Sequence, residues 1–217
     1  MKIVKHLKKQ PIYMGVTSEV IDDDIFHNMD WCISNSGIVE LSDRVDINIL
    51  YKKGHNSGLI GKIWNDHHLR FYNFIQDKIG SNILEIGGGH GILSNYAISK
   101  RKDLSWTLCD PNPGNSVSNN VNVRREIFDE DVFPNGRFDT IVHSHLIEHL
   151  YDPIKTLKQM NRLLSQDGLM LYSMPNMEIM VENKYLNAIN FEHTIYITKK
   201  INEYFLNMAG FQIVNID

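Results

Sequence analysis

Four of the ten histidines in this 217-residue chain stand at positions 143, 145, 149 and 193. His145, Glu148 and His149 are spaced i, i+3, i+4. On a helix beginning near residue 145 all three project from one face. His193, in Phe191-Glu192-His193, is a fourth member of the candidate set. Imidazoles beside a carboxylate form a ligand set for a divalent ion. An imidazole is also the side chain best suited to accept a proton near neutral pH. The plainer alternative is that His149 only hydrogen-bonds a neighbouring loop.

A second group surrounds a run of glycines, Glu85-Ile86-Gly87-Gly88-Gly89-His90-Gly91. Glycines after a strand let the backbone turn tightly and approach a ligand closely. The N-terminus of a following helix points free N–H groups at that ligand. The spacing is E-x-G-x-G-x-G, which differs from the dinucleotide fingerprint G-x-G-x-x-G, and no Gly-Lys-Ser/Thr follows as in a phosphate-binding loop. Asp110 stands at the end of the next apolar run, where a carboxylate can accept hydrogen bonds from both hydroxyls of a ribose.

Short apolar runs and helical stretches must position these groups. Residues 82–86 (NILEI) read as a buried parallel strand, and 105–109 (SWTLC), 121–128, 139–143 and 169–174 as further strands. Helical spacing covers 59–79, 92–99, 146–164 and 199–208, with Gly80 as the stop of the first, and 211–216 (FQIVNI) reads as a last strand. Strands alternating with helices imply an α/β fold, a parallel sheet with helices on both faces. In the first forty residues, Asp22-Asp23-Asp24 reads as the start of a short helix through Ile25, Phe26 and Met29, and 37–50 as a strand or loop.

ILEIGGGHG, WTLCDPNP, FDTIVHSHLIEHLYDP and LLSQDGLMLYSMPN, in that order, resemble four motifs of the class I S-adenosylmethionine-dependent methyltransferases. The resemblance covers about residues 80–216. It implies a doubly wound, mostly parallel Rossmann-like sheet with helices on both faces, preceded by a mainly helical cap. It divides the chain into an acceptor-shaping segment at 1–79 and a donor-binding domain at 80–217. By position, Gly87, Gly89 and Gly91 would shape the methionine end of the pocket, Glu85 would help hold the amino group, and Asp110 would bind the ribose. Phe128 and Asp129 fall near the adenine, and His143 and Ser144 beside the sulfur. That family usually ends its sheet with a further antiparallel strand, which this chain does not reach.

A narrower resemblance concerns the histidines. Small-RNA terminal 2′-O-methyltransferases and ubiquinone-pathway O-methyltransferases carry a Glu-x-x-Glu-His set that binds a divalent ion. Here the set reads His145-x-x-Glu148-His149, with His193 downstream. Histidine in place of the first glutamate favours Mn²⁺, Fe²⁺ or Zn²⁺ over Mg²⁺. The candidate ligands are therefore His145, Glu148, His149 and His193. The same histidines, His145, His193 and His149, are the candidate catalytic residues whether or not an ion takes part.

Before the first glycine loop, Tyr51, His55-Asn56-Ser57-Gly58 and Trp64-Asn65-Asp66-His67-His68 combine rings with hydrogen-bonding groups, which suits a carbohydrate or nucleotide. This lead-in loosely resembles that of sugar methyltransferases acting on nucleotide-linked sugars, without the Cys-rich zinc module some of them carry. With 22 Lys+Arg against 26 Asp+Glu, the formal charge of −4 argues against a nucleic-acid partner held through its phosphates. Only Cys32 and Cys109 are present, too few for a disulfide framework. No signal peptide or membrane span is visible. The expectation is a cytoplasmic enzyme that methylates a hydroxyl of a small polar acceptor, a nucleotide-activated sugar for bacterial capsule or surface polysaccharide. C- or N-methylation of such a sugar, RNA 2′-O-methylation and a non-catalytic donor-binding subunit remain alternatives.

Overall fold

The computed structural model describes residues 2–12, 24–52 and 62–217. In chain order it forms β1 (Lys2–Pro11), β2 (Phe26–Ile33), β3 (Val39–Leu41), α1 (Ile47–Leu50) and α2 (Lys62–Ile75). Then follow β4 (Asn82–Ile86), α3 (Ile92–Lys100), β5 (Ser105–Cys109), β6 (Asn122–Arg124) and β7 (Phe138–Ser144). The chain continues with α4 (Pro153–Leu163), β8 (Leu164–Ser173), α5 (Met177–Glu182) and α6 (Lys199–Met208).

The larger sheet has five strands in the order β6-β5-β4-β7-β8, and every pairing is parallel. Four of the five residues of β4 are buried, as a strand covered on both faces requires. One face packs Phe71, Ile75, Leu93 and Ala97 of α2 and α3 against Trp106, Leu108 and Val142. The other packs Leu157, Met160, Phe205 and Leu206 of α4 and α6 against Ile86, Cys109 and Ile141. The doubly wound α/β sheet expected from the sequence is thus present. Among the described residues, no helix is long and apolar enough to cross a membrane.

The leading segment differs from the expected mainly helical cap. Its described part carries a three-stranded antiparallel sheet, β1-β2-β3, besides α1 and α2. The apolar residues of β1, Ile3, Val4 and Leu7, are scattered among lysines, and the strand is defined by pairing with β2, from Lys2↔Ile33 to Pro11↔Phe26. Phe26 and Met29, expected in a helix, lie in β2 for the same reason; Asp22 and Asp23 lie outside the described residues. Nor does this segment pack apart from the rest. Glu40 of β3 bridges Ile195, and Phe191 joins Trp31, Leu41 and Leu50 in one small core.

Three other expectations change. The helix expected over 146–164 begins only at Pro153, because Asp152 caps it and Pro at its first position stops backward extension. Of 121–128 only Asn122–Arg124 pairs as a strand. Residues 211–217 form no strand; α6 ends at Met208, Gly210 just beyond it turns the chain with φ 84°, and Val214 and Ile216 are exposed.

Candidate active site

Strand order reverses between β4 and β7, which is where open parallel sheets bind ligands beyond their C-terminal ends. The loop after β4 turns through Gly87 (φ 72°), Gly89 (φ 51°) and Gly91 (φ 68°), a conformation open to glycine at little cost. Gly88 is required for a different reason. A Cβ there would stand 2.6 Å from Glu85 Cδ and 2.8 Å from Leu108 Cδ1.

Asp110 leaves the end of β5 and closes on this loop. The Gly89 N–H donates to its Oδ2 at 2.9 Å, and the Asn112 N–H donates to its Oδ1 at 2.8 Å. Glu85 is 4 % exposed, and the Trp106 Nε1–H donates to its Oε2 at 2.9 Å. Burial pushes its carboxyl up to about 7, against the pull of the Trp106 and Ser94 hydrogen bonds. The glycines, Glu85 and Asp110 are therefore brought together as expected.

The remaining donor-site expectations fare differently. Phe128 is half-buried and packs near Phe133, 6.3 Å between ring centroids. Both carboxylate oxygens of Asp129 are engaged within the fold, accepting from the Asp131 N–H at 3.1 Å and from Gln159 Nε2 at 3.0 Å. Those bonds hold its carboxyl below the usual range. His143 is an interior residue, 1 % exposed and stacked on Tyr172 at 4.6 Å, with neither ring nitrogen hydrogen-bonded. Burial lowers its imidazole to about 4. Ser144, the next residue, is the one that reaches the partly exposed rim.

The histidine cluster does not sit on one helical face. Ile147–His149 forms a single 3₁₀ turn, and His145 precedes it in the left-handed region at φ 51°. Among the described residues, ligating atoms of Glu148, His149 and His193 lie within 4.8 Å of one another. His145 stands outside that group. Its Nδ1 is 3.4 Å from Glu148 Oε1, while its ring packs 5.0 Å from those of both Trp64 and His67.

Three observations fit the group of three to a divalent cation. The Glu148 carboxylate is wholly buried, yet neither oxygen has a hydrogen-bond partner. Burial opposes its ionisation, but the adjacent His145 and His149 rings outweigh that and keep its carboxyl below the ordinary range. The His193 Nδ1–H donates to the Ala188 carbonyl at 3.0 Å, which leaves Nε2 as the ligating atom. His149 Nδ1 is 3.0 Å from the Tyr51 hydroxyl, and its Nε2 is 3.7 Å from Glu148 Oε1. Carboxylate and imidazole together suit Mn²⁺, Fe²⁺ or Zn²⁺.

Beside this group the first turns of α2 bring up a ring cluster. Trp64 meets His67 edge-on at 5.8 Å, and His67 Nε2 lies 2.9 Å from Ser144 Oγ and 3.2 Å from Ser173 Oγ. Burial, then neighbouring imidazoles, lower His67 and His68 to about 4, so both are neutral near pH 7. Tyr51, Trp64, His67 and His68 stood out in sequence by residue type, whereas Asn112 and Ser173 did not. Nothing local marks them, since their partners lie 61 and 106 positions away. His55, Asn56, Ser57 and Gly58 fall outside the described residues.

The five-stranded parallel sheet with its glycine turn and following acid is a doubly wound α/β domain, and comparison with known proteins agrees on that fold. A Haloferax volcanii methyltransferase chain, solved in complex with the Trm112 methyltransferase activator, superposes with a TM-score of 0.57 over 80 % of each chain at 16 % identity. The plantazolicin methyltransferase BpumL, bound to SAH, superposes at 0.52 over 67 % of this chain and 61 % of its own, at 17 % identity. Ubiquinone biosynthesis O-methyltransferases from strains of Coxiella burnetii are 28 % identical over 113 residues, 48 % of this chain and 48 % of theirs. The chain thus spans about half the length of these curated relatives. The model of the methyltransferase domain family matches residues 62–216. The chain belongs to that methyltransferase domain family.

Proposed function

We propose that the chain moves the methyl group of S-adenosylmethionine to a hydroxyl of a small polar acceptor, aided by a divalent cation on Glu148, His149 and His193. The acceptor we favour is a nucleotide-activated sugar for a bacterial surface polysaccharide, handled in the cytoplasm. The carrying observation is the buried Glu148 carboxylate, which makes no well-formed hydrogen bond and is flanked by two imidazoles at the C-terminal edge of the sheet. Oxygen as the methylated atom is supported by relatives described as O-methyltransferases. A sugar ring is supported by Trp64, an aromatic face edge-on to His67, whose Nε2 in turn meets the hydroxyls of Ser144 and Ser173.

In this reading the Gly87–Gly91 backbone and Glu85 orient the methionine end of the donor, and Asp110 accepts from its ribose. Glu148, His149 and His193 would hold the cation, which would supply the Lewis acidity that makes the acceptor hydroxyl easier to deprotonate. His145 faces Glu148 through Nδ1, so Nε2 is the atom that receives the acceptor's proton. The α2 rings cover the acceptor and keep water from the sulfonium, and in-line alignment with the methyl carbon supplies most of the acceleration.

The test is turnover by the purified chain with S-adenosylmethionine and a panel of nucleotide sugars, with elemental analysis of the protein and with or without chelator. Chelator-sensitive SAH release and an O-methyl product by mass spectrometry are expected. Full turnover after complete metal removal refutes the cation. Methyl transfer to carbon or nitrogen, or to none of the sugars, refutes the acceptor.

A further inference from the structure

We infer that Tyr51 is a positioning residue that joins the donor loop to the cation site, so that donor and cation bind cooperatively. This rests on the cation reading above and goes beyond it.

Tyr51 is the residue at which α1 ends, and it touches both sites at once. Its hydroxyl lies 3.0 Å from His149 Nδ1. Its backbone carbonyl accepts from the Asn112 side-chain amide. The Asn112 main-chain N–H in turn donates to Asp110 Oδ1 at 2.8 Å. A continuous series of hydrogen bonds therefore runs from Asp110 through Asn112 and Tyr51 to His149.

The direction of the last bond matters. His149 Nε2 faces Glu148 Oε1 at 3.7 Å, and its ring meets His193 edge-on at 5.1 Å. For Nε2 to ligate a cation it must carry the lone pair, so the proton sits on Nδ1 and is donated to the Tyr51 oxygen. A hydroxyl accepts that bond readily, and such outer partners fix the tautomer and orientation of metal-binding histidines. The same bond immobilises the Tyr51 ring, and with it the carbonyl that holds Asn112 and hence the Asp110 loop. Cation binding thus pre-orders the loop that grips the donor's ribose, and by thermodynamic reciprocity donor binding tightens the cation. Ring packing does not distinguish this role, because Phe at 51 keeps the contact with the small core and removes only the hydroxyl.

The experiment uses the full chain, with Tyr51→Phe and Asn112→Ala variants checked for folding by circular dichroism. Mn²⁺ affinity is read from free Mn²⁺ by electron paramagnetic resonance, with Zn²⁺ by chelator competition in parallel. SAH affinity is read by calorimetry with and without the ion. Tyr51→Phe is expected to weaken ion binding by about ten- to hundredfold. The ion is expected to tighten SAH by about fivefold or more in the natural chain, an effect that shrinks below twofold in both variants. A Tyr51→Phe protein that binds the ion within twofold of the natural chain overturns the inference and leaves the cation reading standing. So does a natural chain whose SAH affinity ignores the ion, or an Asn112→Ala protein that keeps the full effect. A natural chain that binds neither ion overturns the cation reading, and this inference with it.

Discussion

Glu85→Gln separates the electrostatics of the glycine-loop pocket from its shape. In the folded chain the Glu85 carboxyl is lifted by burial from an ordinary 4.5 to about 7, more than its Trp106 and Ser94 hydrogen bonds lower it. The folded state therefore holds an extra proton between those two values. Stability is complete below about pH 4.5, falls as pH rises toward 7, and levels off above. At about 1.4 kcal/mol for each pH unit between the two values, the ionised carboxylate costs the folded chain about 3 kcal/mol at pH 8. Glutamine keeps the shape and an oxygen for the Trp106 N–H but never ionises. Glu85→Gln should exceed the natural chain in stability by about 3 kcal/mol at pH 8 and match it near pH 4. The assay is urea unfolding of both proteins, without donor, at several pH values. The difference between them is the quantity to read, because His67, His68 and His143, lowered to about 4, impose an opposite slope common to both. They lose stability as the pH drops from 6.5 through 4. A difference independent of pH would refute the reasoning. Donor binding offers a second readout. In the proposed donor pose the ammonium of S-adenosylmethionine stands beside Glu85 and should draw off its proton, so calorimetry near pH 6 in buffers of different ionisation enthalpy should show proton release that Glu85→Gln lacks.

Two further substitutions probe the same loop. Asp110→Asn removes the charge that strengthens each hydrogen bond to the ribose, at about 1.5–3 kcal/mol, so SAH affinity by calorimetry should fall by at least about tenfold. An affinity within threefold of the natural chain would take Asp110 out of the donor site. Gly88→Ala drives a Cβ to 2.6 Å from Glu85 Cδ and 2.8 Å from Leu108 Cδ1. Overpacking of this kind costs about 1–3 kcal/mol, seen as a lower thermal midpoint, and an unchanged midpoint would show that the two side chains yield freely.

The glycine-loop half of the candidate site was legible because its signals are local. Gly87, Gly89 and Gly91 announce positive φ, NILEI announces a buried strand, and Asp110 follows the next strand at the expected place. The histidine half was legible only as residue types. The i, i+3, i+4 spacing of His145, Glu148 and His149 suggested a helical face, but Pro153 fixes the helix start further on. The 3₁₀ turn then gathers Glu148 and His149 with His193 and leaves His145 against Trp64. The leading sheet was illegible because lysine-rich β1 carries little alternation and takes its form from β2.

Residue order by itself determined the parallel sheet, the glycine turn and the acid that follows it, since each depends on backbone preferences and burial within a few neighbours. Tertiary structure alone decided which imidazoles meet. Tyr51 reaches His149 across 98 positions and His67 reaches Ser173 across 106. Such pairs have no local signature, because each joins a residue of the leading segment to one at the C-terminal edge of the sheet, far apart in the chain.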